Sequence, residues 1–354
     1  MNEAQETPFD AILLVSFGGP EGPDDVMPFL ENVLRGRDVP RERMLEVAEH
    51  YKGFGGVSPI NQQCRELLEA MKAALRDAGI DLPLYWGNRN WHPMLADTVE
   101  QMRADGIRHA LAFVTSSVSS YSSCRQYRED IEKARAVVGP DAPVIEKIRP
   151  FFNHPDFVAA TSACLQDALD RVPADRRSET RVAYTAHSIP LSMGRACDYQ
   201  EQLTELGRLC AEAAGLAEDR WELVFQSRSG PPQVPWLEPD ILDHVRAEHE
   251  RGTRDLVVLP IGFLSDHMEV KYDLDTEAVQ LAEELGMNLV RGATVGTSSR
   301  FLAAIVSLVR ERIEGVPAAA AGRLPARPHA CAANCCPAPQ RPGRPGRPPE
   351  GARA

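Results

Sequence analysis

Two segments of the chain place groups that could bind a metal or move a proton at the ends of apolar runs. His187 opens the tetrapeptide His-Ser-Ile-Pro and closes the apolar run 181–186. The acidic segment 265–277, which contains Glu269, follows another apolar run at 255–263. If both runs are parallel strands of one sheet, the two groups emerge at the same edge, where ligand crevices form. An imidazole that faces a carboxylate can bind a divalent metal, or accept protons and pass them on.

The acidic segment has the spacing of one helix face. At about 100° per residue, four carboxylates fall within an arc of roughly 80°: Asp266, Glu269, Asp273 and Glu277. His267 falls among the apolar residues beside that arc, so we interpret it as a packed structural histidine. The alternative interpretation of the row is a solvated helix face. Like charges with little basic relief at the exit of a strand favour a functional row.

The composition narrows the class of protein. With 354 residues and 43% hydrophobic content, the chain can form two domains of ordinary size. It has no apolar run of membrane-spanning length, and its polar N-terminus is unlike a secretory signal. A net charge of -12 argues against a nucleic-acid partner but suits a metal cation. We therefore expect a cytoplasmic protein without a membrane segment.

Apolar runs of strand length alternate with amphipathic stretches, which predicts an α/β fold. The predicted strands lie at about 10–17, 82–87, 109–115, 143–148, 181–186, 222–227, 255–263 and 288–293. Continuous apolar runs with intervening helices are typical of parallel strands buried on both faces. Two groups of four indicate two similar, doubly wound, Rossmann-like domains, at 8–150 and 151–316. A last amphipathic helix is predicted at about 298–314.

The C-terminal composition changes after this helix. We expect a Cys-bearing extension at 317–337 and a disordered Pro/Gly/Arg tail at 338–354. The extension carries Cys331, Cys335 and Cys336. Eight Cys in a chain without a signal peptide suggest reduced thiols or metal ligation rather than disulfides.

Several loops are predicted to meet at the same end of the sheets. They are Phe17-Gly18-Gly19-Pro20, the glycine-rich loop 51–60, the serine-rich loop 116–123, and the Gly/Pro loops at 226–232 and 235–239. The first lacks the G-x-G-x-x-G fingerprint, so it is either a close approach to a ligand or a tight turn. Each loop is a weak signal alone, but their convergence indicates a ligand site.

Taken in order, these motifs resemble those of the ferrochelatases, which insert iron into a porphyrin at the end of haem synthesis. The resemblance covers about residues 8–315 and rests on FGGP, GFGGVSPI, SSYSSCRQYRED, TAHSIP, FQSRSGPP followed by PWLEPD, and SDHMEVKYDLDTE. It implies two chelatase domains with the active-site cleft between them. It also implies a lyase whose substrates are Fe²⁺ and a porphyrin.

The resemblance assigns roles to individual residues. His187 and Glu269 would face each other as the metal-site pair, with Asp273 and Glu277 as a relay for protons or metal. The porphyrin-binding positions would be Ser58, Tyr121, Arg35, Tyr51 and Phe17. Some family members carry Tyr in the first motif where this chain has Phe17. A phenyl ring offers the metal no oxygen, so we expect it to pack on the face of the macrocycle.

The cysteines of the extension also match part of the family. Some ferrochelatases hold a [2Fe–2S] cluster with three C-terminal Cys and one from the body of the protein. By this resemblance Cys331, Cys335 and Cys336 are the three, and Cys164 is the predicted fourth. The alternatives are free thiols in a disordered tail, or a zinc site. The other thiols are interpreted as ordinary buried or half-buried groups: Cys64, Cys124, Cys197 and Cys210.

The porphyrin and the rival functions depend on separate arguments. The lack of a membrane-binding apolar segment favours coproporphyrin III over the less soluble protoporphyrin IX. A cobalt or nickel chelatase would more often use paired histidines, whereas here Glu269 opposes a single His187. A non-catalytic haem or porphyrin carrier would need an axial ligand and no acidic relay. The predicted protein partners are other enzymes of the haem pathway, in transient contact.

Overall fold

Two four-stranded sheets form the framework of the protein. A computed structural model describes residues 8–36, 39–230 and 233–339. The strands are β1 Ala11–Ser16, β2 Leu84–Asn88, β3 His109–Val114, β4 Val144–Lys147, β5 Arg181–His187, β6 Trp221–Gln226, β7 Asp255–Leu259 and β8 Asn288–Arg291. Each coincides with one predicted run, and all pairings between them are parallel. The α/β prediction is therefore confirmed.

The two sheets share one topology. Their strand orders are β2-β1-β3-β4 and β6-β5-β7-β8. In each sheet the strand order reverses between the two central strands, β1 and β3 in the first sheet and β5 and β7 in the second. In doubly wound folds, ligands bind at the carboxyl ends of the strands at such a point. Every residue of β1 and β7 is buried. This burial explains why these strands are continuous apolar runs in the sequence.

Helices cover both faces of each sheet. They are α1 Val26–Val33, α2 Arg41–Gly53, α3 Ile60–Asp77, α4 Leu95–Ala104, α5 Gln126–Val138, α6 Pro155–Asp170, α7 Leu191–Gly194, α8 Tyr199–Ala213, α9 Ile241–Glu250, α10 Met268–Tyr272, α11 Val279–Glu284 and α12 Ser299–Ile313. Short 3₁₀ turns lie at Pro23–Asp25, Arg177–Glu179 and Glu218–Arg220, and π-helical turns at Tyr121–Arg125 and Asp273–Ala278. The predicted last helix is confirmed within one residue at each end.

One apolar cluster joins the two halves. The α12 helix packs on α3 from the first half and on α6. Phe113 of β3, Phe151, Phe157 of α6 and Phe301 of α12 meet in the shared core with ring centroids 5.2–6.3 Å apart. Close packing of this kind resists relative movement of the sheets. The strand ends of the two halves are therefore held in fixed relation.

The extension is bound to the body of the protein by polar contacts. The Arg149 and Glu311 side chains form a buried two-point ion pair at 2.8 Å. The same guanidinium donates to the carbonyl of Ala319 at 2.7 Å, and Asn153 donates to the carbonyl of Leu324 at 2.7 Å. These bonds direct the chain back across the molecule after α12. The predicted disordered tail falls mainly at 340–354, outside the described residues.

Among the described residues, no helix combines the length and the apolar character needed to cross a membrane.

Candidate active site

His187 and Glu269 lie together at the carboxyl edge of the second sheet. His187 is the last residue of β5, and Glu269 is the second residue of α10, which follows β7. The imidazole Nε2 and the carboxylate Oε2 are 3.6 Å apart, and the side chains are 30% and 48% exposed. The structure therefore brings together the pair that the sequence singled out, at a surface that a ligand can reach.

The imidazole of His187 is oriented by its own backbone. Its Nδ1 is hydrogen-bonded to the carbonyl oxygen of Ser188. Because a carbonyl can only accept, Nδ1 carries the hydrogen and donates it. In the neutral ring, Nε2 is then the atom with the free lone pair, and it is the atom that faces Glu269. This is the arrangement needed to accept a proton or to bind a metal.

The two groups shift each other's pKa. Burial alone would lower the pKa of His187, but the Glu269 carboxylate outweighs burial and raises it to about 9. Burial would raise the pKa of Glu269, but the imidazolium lowers it to about 2. Without a metal, the pair is an imidazolium facing a carboxylate at neutral pH. Binding a cation at Nε2 must therefore release a proton.

His267 lies closer to this pair than the sequence suggested. Its Nδ1 accepts the backbone N–H of Glu269, which caps α10. Its ring packs edge-on against Phe263. These contacts agree with a structural histidine, but the same Nδ1 is 3.9 Å from the Glu269 carboxylate. His267 is the N-cap residue of α10, immediately before the helix. Recognising this capping position in the sequence could have placed His267 beside Glu269.

The acidic row begins on α10 but does not follow one regular helix. The π-helical turn Asp273–Ala278 interrupts the α-helical spacing. Asp266 precedes α10 and pairs with Arg291 at 2.8 Å, so it does not extend the row. Hydrophobic periodicity does not reveal a π turn, which adds a residue to one turn of the helix.

Asp273 and Glu277 lie in a shielded part of the row. Ser227 donates a hydrogen bond to Asp273, and Gln226 at the end of β6 donates to the same carboxylate at 3.4 Å. Burial, with Glu269 and Glu277 nearby, raises the pKa of Asp273 to about 7. Burial and Asp240 raise the pKa of Glu277. Asp273 is therefore able to take up and release protons near neutral pH.

The first half contributes an aromatic ring and a tight turn. Phe17 follows β1 directly, is 37% exposed, and lies 5.8 Å from the guanidinium of Arg89. Gly18 has φ +83°, and a Cβ on Gly19 would come within 2.6 Å of the Ser58 Cβ. The two glycines therefore allow the turn to pack closely on other parts of the protein. Ser58 is buried beneath that turn with 4% exposure, so its predicted contact with a porphyrin stays a prediction.

A second wall is formed by α2. Tyr51 is buried among Phe29 and Met268, close enough to Glu269 for the carboxylate to add to the effect of burial in raising the pKa of the phenol. One residue away, the ring of His50 stacks on Tyr272 at 3.8 Å between centroids. The α2 helix of the first half thus contacts α10 of the second beside His187 and Glu269.

The other two predicted substrate residues lie in different surroundings. Arg35 is exposed in the turn after α1. Tyr121 begins the π-helical turn after β3, and its hydroxyl donates to Glu129 at 3.0 Å. Neither makes a contact that assigns a role in substrate binding, so both roles stay predictions.

The cysteines of the extension meet a thiol other than the predicted one. Cys331 is hydrogen-bonded to Cys124 and to Cys335, and the Cys335 and Cys336 sulfurs are 3.6 Å apart. Cys164 instead lies 3.7 Å from the carbonyl of Thr294. The structure does not bring Cys164, the predicted fourth ligand, to the extension. Cys164 lies on α6, whereas the extension crosses to the π-helical turn after β3, where Cys124 lies.

Cys124 is the thiol of this group that is most readily ionised. The hydrogen bond from Cys331 lowers its pKa, and nearby Lys147 and Arg128 act in the same direction against burial. Arg125 also donates to the carbonyl of Cys335 at 3.1 Å. Positive charge thus lies beside Cys124, which favours its thiolate, whereas the hydrogen bond to Cys124 and burial raise the pKa of Cys331. The sequence signal was the placement of Cys124 in a loop rich in hydroxyl groups, beside Arg125.

A further group of possible metal ligands lies at the opposite end of the second sheet. Ligand atoms of Glu222, His244 and Glu248 are all within 4.8 Å of one another. Glu248, however, is already paired with Arg181 at 3.2 Å and Arg251 at 2.7 Å. The guanidinium groups neutralise its charge, so the group is an ion-pair network rather than a candidate metal centre.

The fold and the site together define the class of protein, which is that of the α/β metal chelatases. Among solved structures, the chain resembles SirB from Bacillus subtilis with Fe³⁺, with a TM-score of 0.55 and 16% identity over 86% of this chain and 97% of that chain. It also resembles the sirohydrochlorin chelatase SirB from Bacillus subtilis subspecies spizizenii in complex with cobalt, with a TM-score of 0.52 and 14% identity over 86% of this chain and 95% of that chain. At such identities the likeness concerns the fold alone.

Sequence relatives narrow this class. The ferrochelatase of Rhodopirellula baltica is 54% identical over 331 residues, covering 93% of each chain. The coproporphyrin III ferrochelatase of Nocardia farcinica is 52% identical over 348 residues, covering 94% of this chain and 97% of its own. The ferrochelatase family model matches residues 9–313. The chain therefore belongs to the ferrochelatase family and is a metal chelatase, not a porphyrin carrier.

Proposed function

We propose that this ferrochelatase inserts Fe²⁺ into coproporphyrin III, with His187 and Glu269 as the pair that receives the metal and the pyrrole protons. The observation that carries the proposal is the orientation of His187, whose Nε2 faces Glu269 at 3.6 Å. Phe17, exposed at the carboxyl edge of the other sheet, offers an apolar surface for the macrocycle.

The chemistry of insertion matches these groups. The porphyrin exchanges two pyrrole protons for one Fe²⁺, so the site must hold a cation and accept protons. Binding a cation at Nε2 first requires His187 to release its proton. When the metal moves on to the porphyrin, the neutral ring can take a pyrrole proton at Nε2, and Glu269 stabilises the imidazolium that forms again. Asp273, with its pKa raised to about 7, can receive a proton from the pair and release it toward Glu277.

The choice of porphyrin is supported by the relatives and by chemistry. The Nocardia farcinica and Streptomyces coelicolor relatives, 52% and 48% identical to this chain, are coproporphyrin III ferrochelatases. Coproporphyrin III carries four propionates and protoporphyrin IX two, so the former needs more polar contacts at the rim of the cleft. Exposed Arg35, at the edge of the first half, can supply one such contact.

A single-turnover competition between the two porphyrins tests this proposal. Excess enzyme is mixed with both porphyrins and limiting anaerobic Fe²⁺. Iron coproporphyrin should form at least tenfold faster than iron protoporphyrin. Arg35→Gln should reduce that preference, while Arg246→Gln, a change at an exposed ion pair on α9, should not. Equal rates, or faster use of protoporphyrin IX, would overturn the choice of substrate but not the chelatase activity.

We also propose that Cys124, Cys331, Cys335 and Cys336 hold a [2Fe–2S] cluster. The residues fit such a group: the sulfurs are gathered by contacts between thiols, and Lys147 and Arg128 offset the charge of Cys124. When bound, the cluster would supply one-electron redox chemistry and a covalent tie between the extension and the first half. The described residues do not connect it to the insertion step.

Colour provides the test of the cluster. Protein purified anaerobically should be reddish-brown without porphyrin, and Cys124→Ser or Cys331→Ser should remove the colour and lower the melting temperature. Cys164→Ser is the matched control and should stay coloured, because that thiol lies near Thr294. Colourless wild-type protein from cells with intact cluster assembly would overturn the proposal. Bleaching by Cys164→Ser but not by Cys124→Ser would overturn the ligand set.

A further inference from the structure

The backbone of His187 is anchored by a side chain from outside the sheet. On one side of β5, the pairing with β7 ends at Tyr184. Beyond it, the Gly262 N–H donates to the carbonyl of Thr185 at 3.0 Å, and the Tyr199 hydroxyl donates to the carbonyl of His187 at 2.9 Å. Carbonyls two residues apart point to the same side of a strand. The tyrosine hydroxyl therefore takes the position of the next β7 residue.

Tyr199 is built to hold this bond. It is the first residue of α8, and only 4% of it is exposed. Burial raises the pKa of the phenol, and Glu269 is near enough to raise it further. The hydroxyl consequently keeps its hydrogen and donates at neutral pH. Without this donor, the partly buried carbonyl of His187 would lose its hydrogen bond on the β7 side of the strand.

The start of α8 is held from two other directions. Gln202 on the next turn accepts the Ser119 N–H at 2.8 Å and donates to the Ser119 hydroxyl at 3.1 Å. Ser119 belongs to the loop after β3 in the first half of the molecule. On the other side, Asp198 pairs with Arg327 of the extension at 2.7 Å. The turn that anchors His187 is thus connected to the first half and to the extension.

We propose that Tyr199 is a positioning residue for metal insertion, which fixes the His187 backbone so that Nε2 stays aligned with Glu269, and that the Arg327–Asp198 pair holds Tyr199 in place. The proposal rests on the proposed role of His187. A displacement of a fraction of an ångström at the imidazole would slow the chemical step without altering the surface that binds the porphyrin. The extension thereby influences turnover through an ion pair, independently of what its thiols bind.

The primary test is Tyr199→Phe, which removes one oxygen and keeps the packing. We expect kcat for metal insertion to fall about tenfold, while the porphyrin Kd, measured by fluorescence without metal, stays within twofold. Hydrogen exchange of the peptide that contains His187 and Ser188 should become faster. A purely structural tyrosine would instead lower the melting temperature and weaken porphyrin binding together, and that result would overturn the proposal.

Tyr184→Phe is the matched control. Its hydroxyl lies in the same core and has no hydrogen-bond partner among the described residues. The variant should keep wild-type kcat and hydrogen exchange. A tenfold loss in this variant too would show that the core, rather than the bond to His187, controls turnover.

The second arm tests the link to the extension. Arg327→Gln and Asp198→Asn should each lower kcat about threefold, and the double variant should be no worse than either, because both remove one interaction. Additive losses would overturn this link. If His187→Ala retains turnover, the proposed function fails. If that variant is inactive but Tyr199→Phe matches the wild type, the positioning proposal alone fails.

Discussion

The two halves of the molecule have the same strand order but different chemistry at the equivalent strand ends. The central strand of the first sheet, β1, is followed by Phe17, and that of the second sheet, β5, ends in His187. Both side chains are about one-third exposed, at 37% and 30%. The equivalent positions therefore present an apolar ring in one half and a proton-accepting imidazole in the other.

The difference extends to the third strand of each sheet. After β3 come the serine-rich loop and Cys124, and after β7 come Glu269 and the acidic row. In the second half, burial and then the neighbouring carboxylates raise the pKa of Asp273, and Glu269 raises the pKa of His187 against the effect of burial. Under the proposed function, this repeated architecture divides the work: the first half would supply a surface for the flat macrocycle, and the second would handle metal and protons.

Removing the imidazole should have the largest effect on this division. His187→Ala is expected to lower kcat at least a thousandfold, because the group that accepts protons and receives metal is lost. The porphyrin Kd should change by less than tenfold, since the apolar surface is intact. Stopped-flow absorbance of metal insertion measures the first quantity and fluorescence quenching the second. His249→Ala on the exposed face of α9 is the control. Turnover above a few per cent would remove His187 from the mechanism.

Removing the charge of Glu269 should have the next largest effect. Glu269→Gln keeps the shape of the side chain, and kcat should fall about a hundredfold. The carboxylate raises the pKa of His187, so without it the imidazole should lose its proton at a lower pH. The rise of kcat/KM for Fe²⁺ with pH should therefore shift to lower pH in the variant. An unchanged profile would show that Glu269 does not control the protonation of His187.

The sequence predicts the features that depend on local patterns, but not those that depend on contacts between residues distant in the chain. All eight strands follow from local apolar runs, and the positions of His187 and the acidic segment follow from two of those runs. The choice of Glu269 within that segment depended on the family resemblance. The contact between the extension and Cys124 did not follow, because it depends on where the extension crosses the surface. Arg149, Asn153 and Glu311, distant in sequence from the cysteines, determine that path.

The acidic row shows a second limit. Its spacing predicted one continuous helix face, but the π turn at Asp273–Ala278 and the Asp266–Arg291 pair divide it. A π turn is stabilised by tertiary contacts such as the bond from Ser227 to Asp273, which no local pattern contains. For the same reason, the shifted pKa of Asp273 required the structure.

Asp273 should affect stability in a way that depends on pH. Its folded pKa of about 7 lies above the ordinary value of 3.8, so the folded state holds the proton more tightly and loses stability as pH rises between these values. At pH 8, Asp273→Asn should therefore have a free energy of unfolding about 1–3 kcal/mol larger than that of wild type, and a higher melting temperature. At pH 4 the variant should gain no stability. Thermal unfolding at the two pH values measures the effect.

The neighbouring carboxylate provides the opposite control for that experiment. Arg291 and Lys271 lower the pKa of Asp275 against the effect of burial. Asp275→Asn should consequently destabilise the protein at pH 8, where Asp273→Asn stabilises it. If both substitutions changed stability in the same direction at pH 8, the charges of the row would not be what distinguishes these two positions.

The smallest effect is expected at the position in the first half that corresponds to His187. Phe17→Tyr adds one oxygen to a ring that is 37% exposed and packs edge-on against Phe29. Because the ring is partly exposed, the added hydroxyl should cost little, and kcat and porphyrin Kd should stay within about twofold of wild type. If this ring packs on the macrocycle as proposed, the new oxygen lies on the side of the metal opposite His187. The absorbance spectrum of the bound iron product should then shift toward that of a complex with an axial oxygen ligand.

Leu45→Tyr on α2, another exposed apolar position, should leave the spectrum unchanged. A Phe17→Tyr product spectrum identical to wild type would show that this ring does not face the metal, and the assignment of the macrocycle to the first half would lose its most direct support.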